Sequence, residues 1–160
     1  MRPVRIGGAA VATVNVGRVR LLGLLVIIAG AIMIVAGGVT WFAVQNQLSD
    51  ENITVSDDAA AFAGDKVDGP LTAYTEANTI EKHALEATGG KTYAELARDD
   101  PKRDTAMTAS FLRASLFTSV VAFGIALMAA GLGVVLILIG WALRSMAASP
   151  APAHAPPTVT

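Results

Sequence analysis

The chain has 160 residues, of which 53% are hydrophobic and only 16% are charged, and its net charge is −1. Soluble domains carry about 25% charged residues. The excess apolar content lies in two blocks that contain no Asp, Glu, Lys or Arg, residues 21–44 and 116–143. These numbers exclude an ordinary soluble enzyme domain and a disordered chain.

Both apolar blocks are longer than the ~20 residues that a helix needs to cross a bilayer. They predict an all-α membrane protein: a two-helix transmembrane hairpin with a small helical extracytoplasmic domain between the spans. In chain order we predict a basic cytoplasmic arm (1–19), transmembrane helix 1 (20–44), an acidic extracytoplasmic helical segment (45–110), transmembrane helix 2 (111–144) and a disordered Pro/Ala tail (145–160).

Basic residues near the ends of the spans predict the orientation. Arg18 and Arg20 precede the first span and Arg144 follows the second, so the positive-inside rule places both termini in the cytoplasm of a multi-pass plasma membrane protein. Basic residues at the other end of the second span argue against this, but loops of that length count less in the rule. A cleaved secretory signal stays open as an alternative, although the usual apolar core of a signal is only about 7–15 residues long.

The segment between the spans is acidic. All thirteen acids of the chain lie between Asp50 and Asp104, together with six bases. This excess of negative charge repels nucleic acid, which we therefore exclude as a partner. The lipid bilayer is the expected partner of the two spans, together with a protein partner or a second copy of the chain.

Within this segment, capping signals predict helices. Ser56 followed by two Asp residues predicts a helix start before an Ala run. Pro70 suits the first position of a second helix, and Gly89 with Gly90 suits its end.

Two further signals follow before the second span. Thr92 and Glu95 form a capping-box pattern for a short helix. Near Pro101 the last helix is expected to begin, and we expect it to continue without interruption into the second span.

Small residues recur along both spans at helical spacing. In lipid, helices associate where small side chains let their backbones approach closely, so we predict a helix-packing face. Its members are Gly23, Gly30 and Gly37 on the first span, and Ser115, Ser119, Ala122, Ala126, Ala129, Gly133 and Gly140 on the second. Large residues such as Phe123 and Leu127 are expected on the other sides of the second span. Whether the face meets the other span of the same chain or another chain stays open.

Residues that could carry chemistry are scarce. The two histidines are His83, in the segment between the spans, and His154, in the tail. A mononuclear iron site needs two histidines and a carboxylate on one rigid scaffold, so we predict no catalytic residue, no metal and no cofactor. Neither apolar block contains an ionisable residue, which argues against a transport path.

Four stretches, residues 50–55, 63–70, 83–96 and 109–117, resemble a group of uncharacterised actinobacterial two-span membrane proteins. The resemblance covers roughly residues 20–145. It implies an inner-membrane protein of a high-GC Gram-positive bacterium. Members of the group often carry the label of an aromatic ring-opening dioxygenase, an activity that the histidines of this chain do not support.

The expected function is therefore that of a non-enzymatic integral membrane protein in a structural or accessory role, which associates through its small-residue helix faces. The first alternative is an accessory subunit of a larger envelope or respiratory complex. The second is an enzyme, with the dioxygenase label as its concrete form.

Overall fold

The computed structural model describes residues 15–148, which form three helices. These are α1 (Val16–Asp50), α2 (Pro70–Thr88) and α3 (Arg103–Met146). Within this part of the chain no strand forms, and β-pairing is limited to an isolated bridge between Thr54 and Lys66. The fold is all-α, and most of the predicted arm and tail lies outside the described residues.

α1 and α3 pack against each other along the chain's two apolar blocks. They have 35 and 44 residues, so at 1.5 Å per residue they are about 52 and 66 Å long. Both are long and apolar enough to cross a membrane, and only 11% of the most apolar stretch of α1 and 17% of that of α3 are buried. α1 begins inside the predicted arm, and at its start the Asn15 side chain accepts a hydrogen bond from the Arg18 amide at 3.4 Å.

α2 packs on the part of α3 that extends past the end of α1. It begins at Pro70 and ends at Thr88, as the Pro and Gly signals predict. Gly89 closes the helix in a left-handed conformation with a φ of 71°, which glycine adopts without strain. α3 begins at Arg103, two residues after Pro101, because Asp100, Pro101 and Lys102 form a turn in which the Asp100 carboxylate accepts from the Lys102 amide.

The prediction of a helix after Ser56 is wrong. Residues 51–69 fold into a loop in which the Val55 amide donates to the Asp65 carbonyl and the Val67 amide to the Ile53 carbonyl, at 2.8 and 2.9 Å. The Ser56 hydroxyl, which as an N-cap would accept from an amide of the first helical turn, donates instead to the Glu76 carboxylate on α2, as does the Ser56 amide. Phe62 has a φ of 58°, which ends any helical path through the Ala run.

The short helix predicted after Thr92 is also absent. The capping contact itself forms, since the Thr92 amide and hydroxyl both donate to Glu95 at 2.8 Å. Only turns follow it. The Arg103 side chain donates to the Leu96 carbonyl at 2.7 Å, a group that a continuing helix would have used for its own backbone hydrogen bond.

The core lies where the loop and α2 meet the ends of the two long helices. Its most deeply buried large side chains are Phe123 on α3 and Val55 and Val67 in the loop, each at most 1% exposed. Phe123 was expected on the outer side of the second span, and this expectation is wrong. The side chain faces α1, where its ring meets that of Trp41 edge to face at 4.7 Å between centroids.

Candidate functional site: the helix-packing face

Three glycines of α1 lie directly against the backbone of α3. A Cβ atom added to Gly30 would stand 2.5 Å from the Gly133 carbonyl oxygen. One added to Gly37 would stand 2.6 Å from the Ala126 carbonyl oxygen. Real Cβ atoms essentially never approach an atom within 3.0 Å, so these positions accept only glycine without a shift of the helices.

The same contact continues at the other end of the pair. A Cβ added to Gly23 would meet the Gly140 carbonyl oxygen at 2.8 Å, and one added to Gly140 would meet the Gly23 carbonyl oxygen at 2.5 Å. The pairing runs antiparallel, since ascending positions on α1 meet descending positions on α3. The three α1 glycines are seven residues apart, and this period returns each of them to the same side of a helix pair.

The predicted residues of α3 are not equally placed on this face. Ala126, Gly133 and Gly140 are buried against α1. The other predicted members lie at its side, with Ser119, Ala122 and Ala129 half-buried and Ser115 exposed. Ser119 and Thr118 donate their hydroxyls to the backbone of α3 itself, at 3.2 and 2.8 Å.

The sequence analysis does not identify four residues of α3 that lie on this face. Leu116 and Phe123 are buried, and Ala130 and Ile137 contact the α1 glycines. These four positions are also seven residues apart. The sequence shows the seven-residue period, but three of the seven residues predicted on α3, Ser115, Ala122 and Ala129, lie one position before the residues that face α1.

A buried carboxylate on α2 attaches the loop to that helix. Glu76 is 6% exposed and accepts from the Ser56 amide at 2.8 Å and from the Ser56 hydroxyl at 3.0 Å. Both of its oxygens are therefore satisfied, and they hold the loop on α2.

α2 is attached to α3 by an ion pair and by aromatic rings. Arg113 meets Glu81 at 2.8 Å, and the Tyr74 ring packs edge to face on Phe117 with 5.7 Å between centroids. Arg113 also lines a small cavity of about 80 Å³ between α2 and α3, together with Tyr93. Its Nε atom is buried and donates no hydrogen bond within the described residues.

The one described histidine belongs to a surface cluster. The Nε2 atom of His83 lies 2.9 Å from the Asp58 carboxylate, and the Lys82 ammonium lies 2.9 Å from the same group. The hydrogen bond from His83, followed by that from Lys82, lowers the pKa of Asp58 to about 2. All three side chains are roughly half exposed.

This cluster does not form the donor set of an iron enzyme. Among residues 15–148 no three His, Cys, Asp or Glu side chains are grouped so that they could hold a metal ion. His154, the second histidine that such a site would need, lies outside the described residues. The donor chemistry of the described part therefore does not fit the iron that the dioxygenase label implies.

The chain was compared with known families, proteins and structures. No family model, no curated protein and no solved structure matches the chain.

Proposed function

We propose that the chain is a non-enzymatic integral membrane protein that spans the plasma membrane twice and has a structural or accessory role. One observation carries the proposal: large apolar side chains cover the outer surfaces of both long helices. Val35, Val39 and Phe42 on α1 and Leu127 and Trp141 on α3 are each 64–67% exposed. Soluble proteins seldom expose apolar surface that extends over tens of ångströms, whereas a bilayer covers it.

The packing of the two helices agrees with this environment. In lipid the hydrophobic effect does not drive helices to associate, so close backbone contact must stabilise the helix pair. Gly23, Gly30 and Gly37 provide that contact inside the chain. A protein partner or a second copy would then contact a surface that α1 does not cover, such as the side of α3 that carries Ser115 and Ala129.

The proposed orientation has both termini in the cytoplasm and α2 with its loop outside. It rests on Arg18, Arg20 and Arg144 at one end of the helix pair and on the acids at the other. The chain has no cysteine, so single cysteines can report the topology. An impermeant thiol reagent on intact cells should label Asp65→Cys but not Ala148→Cys. The reverse pattern would overturn the orientation, and loss of both proteins from the membrane fraction would overturn the membrane assignment.

Membership of the actinobacterial two-span group belongs to the same proposal, and the dioxygenase activity does not. Iron analysis of the purified protein tests this choice. Stoichiometric iron that disappears in His83→Ala would favour the enzyme instead.

The accessory role is tested through its partners. Pull-down in mild detergent followed by mass spectrometry should recover other subunits in fixed proportion if the chain belongs to a larger complex. Recovery of this chain alone would limit the proposal to self-association or to a monomer.

A further inference from the structure

The level of α2 along α3 follows from three contacts. Tyr74 meets Phe117, Glu81 meets Arg113, and Ala87 shares a surface groove with Thr105. Positions on α3 therefore descend as positions on α2 rise. α2 runs antiparallel to α3, and its first turn lies nearest the apolar block of that helix.

The charge pattern of α3 shows where that apolar block begins. Arg113 is its last charged residue before residues 116–143, in which no charge occurs. Phe117 lies only four residues later, about 6 Å along the helix. On α1 the corresponding level is that of Leu48, which joins Leu116 in the core, and the apolar block of α1 ends four residues earlier, at Val44.

An exposed apolar surface of α2 lies at this boundary. The Tyr74 side chain is 50% exposed although its ring contacts Phe117. Leu71 is 65% exposed and precedes Tyr74 by three residues, so it shares the same face of α2. The antiparallel direction places Leu71 about 4.5 Å farther towards the apolar block than Tyr74.

We infer that the first turn of α2 is an interfacial anchor, in which Leu71 enters the boundary between headgroups and acyl chains and Tyr74 lies at the headgroup level. The inference rests on the proposed two-span arrangement, which puts lipid beside Phe117. Tyrosine suits this position because its ring is apolar and its hydroxyl needs water. Residues 69–75 carry no charge, so the contact is apolar and does not require the anionic lipids that the acidic segment would repel.

Spin labels on single cysteines test the depth of this turn in the full-length protein. Leu71→Cys is compared with Leu127→Cys, on the outer surface of α3, and with Glu86→Cys, at the exposed far end of α2. Each labelled protein is placed in phosphatidylcholine nanodiscs, and its collision rates with oxygen and with a water-soluble nickel chelate are measured. Oxygen concentrates in the acyl region, whereas the chelate stays in water.

We expect the oxygen-to-nickel ratio at position 71 to exceed that at position 86 several-fold and to fall below that at position 127. Equal ratios at 71 and 86, with a high ratio at 127, would overturn the anchor and leave the two spans intact. A label at 71 that neither reagent reaches would also overturn it, because a second copy would then cover Leu71. A low ratio at 127 would instead contradict the proposed membrane arrangement itself.

Discussion

Gly30 and Gly133 lie backbone against backbone where the two long helices pack together. A Cβ on either residue would stand 2.5 Å from the carbonyl oxygen of the other. The opposing atom belongs to the backbone in both directions. Moving a flexible side chain therefore cannot relieve the clash that a substitution on either helix would create. The helix pair therefore has little tolerance for added volume at this point.

Gly30→Ala should therefore destabilise the helix pair although alanine favours a helix by about 1 kcal/mol over glycine. Overpacking of a tight contact costs about 1–3 kcal/mol, and here the clashing atom belongs to the backbone. Thermal unfolding in mild detergent measures the loss. Gly38→Ala is the control, since a Cβ at Gly38 meets nothing within 4 Å. A Gly30→Ala protein as stable as the Gly38→Ala protein would contradict the close contact.

Ala126→Leu should also push the helices apart, because Ala126 is 2% exposed and its carbonyl faces Gly37. We expect a loss of about 1–3 kcal/mol. Its neighbour provides the matched control: Leu127 is 65% exposed, so Leu127→Ala removes little packing. Both proteins should still insert, since neither change adds charge. A larger loss of thermal stability for Leu127→Ala would show that the packing face is misplaced.

The long helices and α2 could be predicted because their signals are local. Pro70 and Gly89 act on the backbone next to them, and the charge-free blocks need no tertiary partner to be recognised. The fold of residues 51–69 could not be predicted in this way. Ser56 lies in this loop and bonds to Glu76 on α2, twenty residues away, so the contact that replaces the predicted helix cap is a long-range one.

The packing face was predictable in period but not in all of its residues. A preference for small side chains finds Gly133 and Gly140, where two backbones touch. It fails at Phe123, because the space opposite is filled by Trp41 rather than by a glycine. Large and small residues can share one face when the distance between two helices changes along their length.

Phe123→Ala should be among the most destabilising single changes outside the glycine contacts. The side chain is 1% exposed and its ring contacts Trp41 in the core. Removal of a buried phenylalanine side chain costs about 3–5 kcal/mol. Phe111→Ala removes the same atoms from a residue that is 69% exposed and should change the free energy of unfolding little. Equal losses of unfolding free energy for the two variants would show that Phe123 lies on the outer side of α3 after all.

Glu76→Ala should release the loop from α2. It leaves the half-buried amide and hydroxyl of Ser56 without their acceptor. A fully buried unsatisfied group costs about 1–3 kcal/mol, so for these partly solvated groups we expect a loss of about 1 kcal/mol. Hydrogen exchange at residues 53–67 should become faster, while exchange in the long helices stays slow. Glu86→Ala, an exposed change on the same helix, should leave the loop protected. Unchanged exchange in the Glu76→Ala loop would show that Glu76 does not hold it.

The Asp58 cluster should make the stability of α2 and its loop depend on pH in the acid range. The pKa of Asp58 is about 2 in the folded protein, against 3.8 for an ordinary aspartate, chiefly because His83 hydrogen-bonds its charged form. The unfolded chain therefore binds a proton more readily, and the contribution of Asp58 to stability is complete above pH 3.8 and disappears as the pH falls through about 2. His83→Ala should raise the pKa of Asp58 towards 3.8, and Lys82→Ala should raise it by less. Carboxyl NMR shifts followed against pH measure both changes. A wild-type Asp58 that titrates near 3.8 would show that the cluster does not persist on the exposed surface.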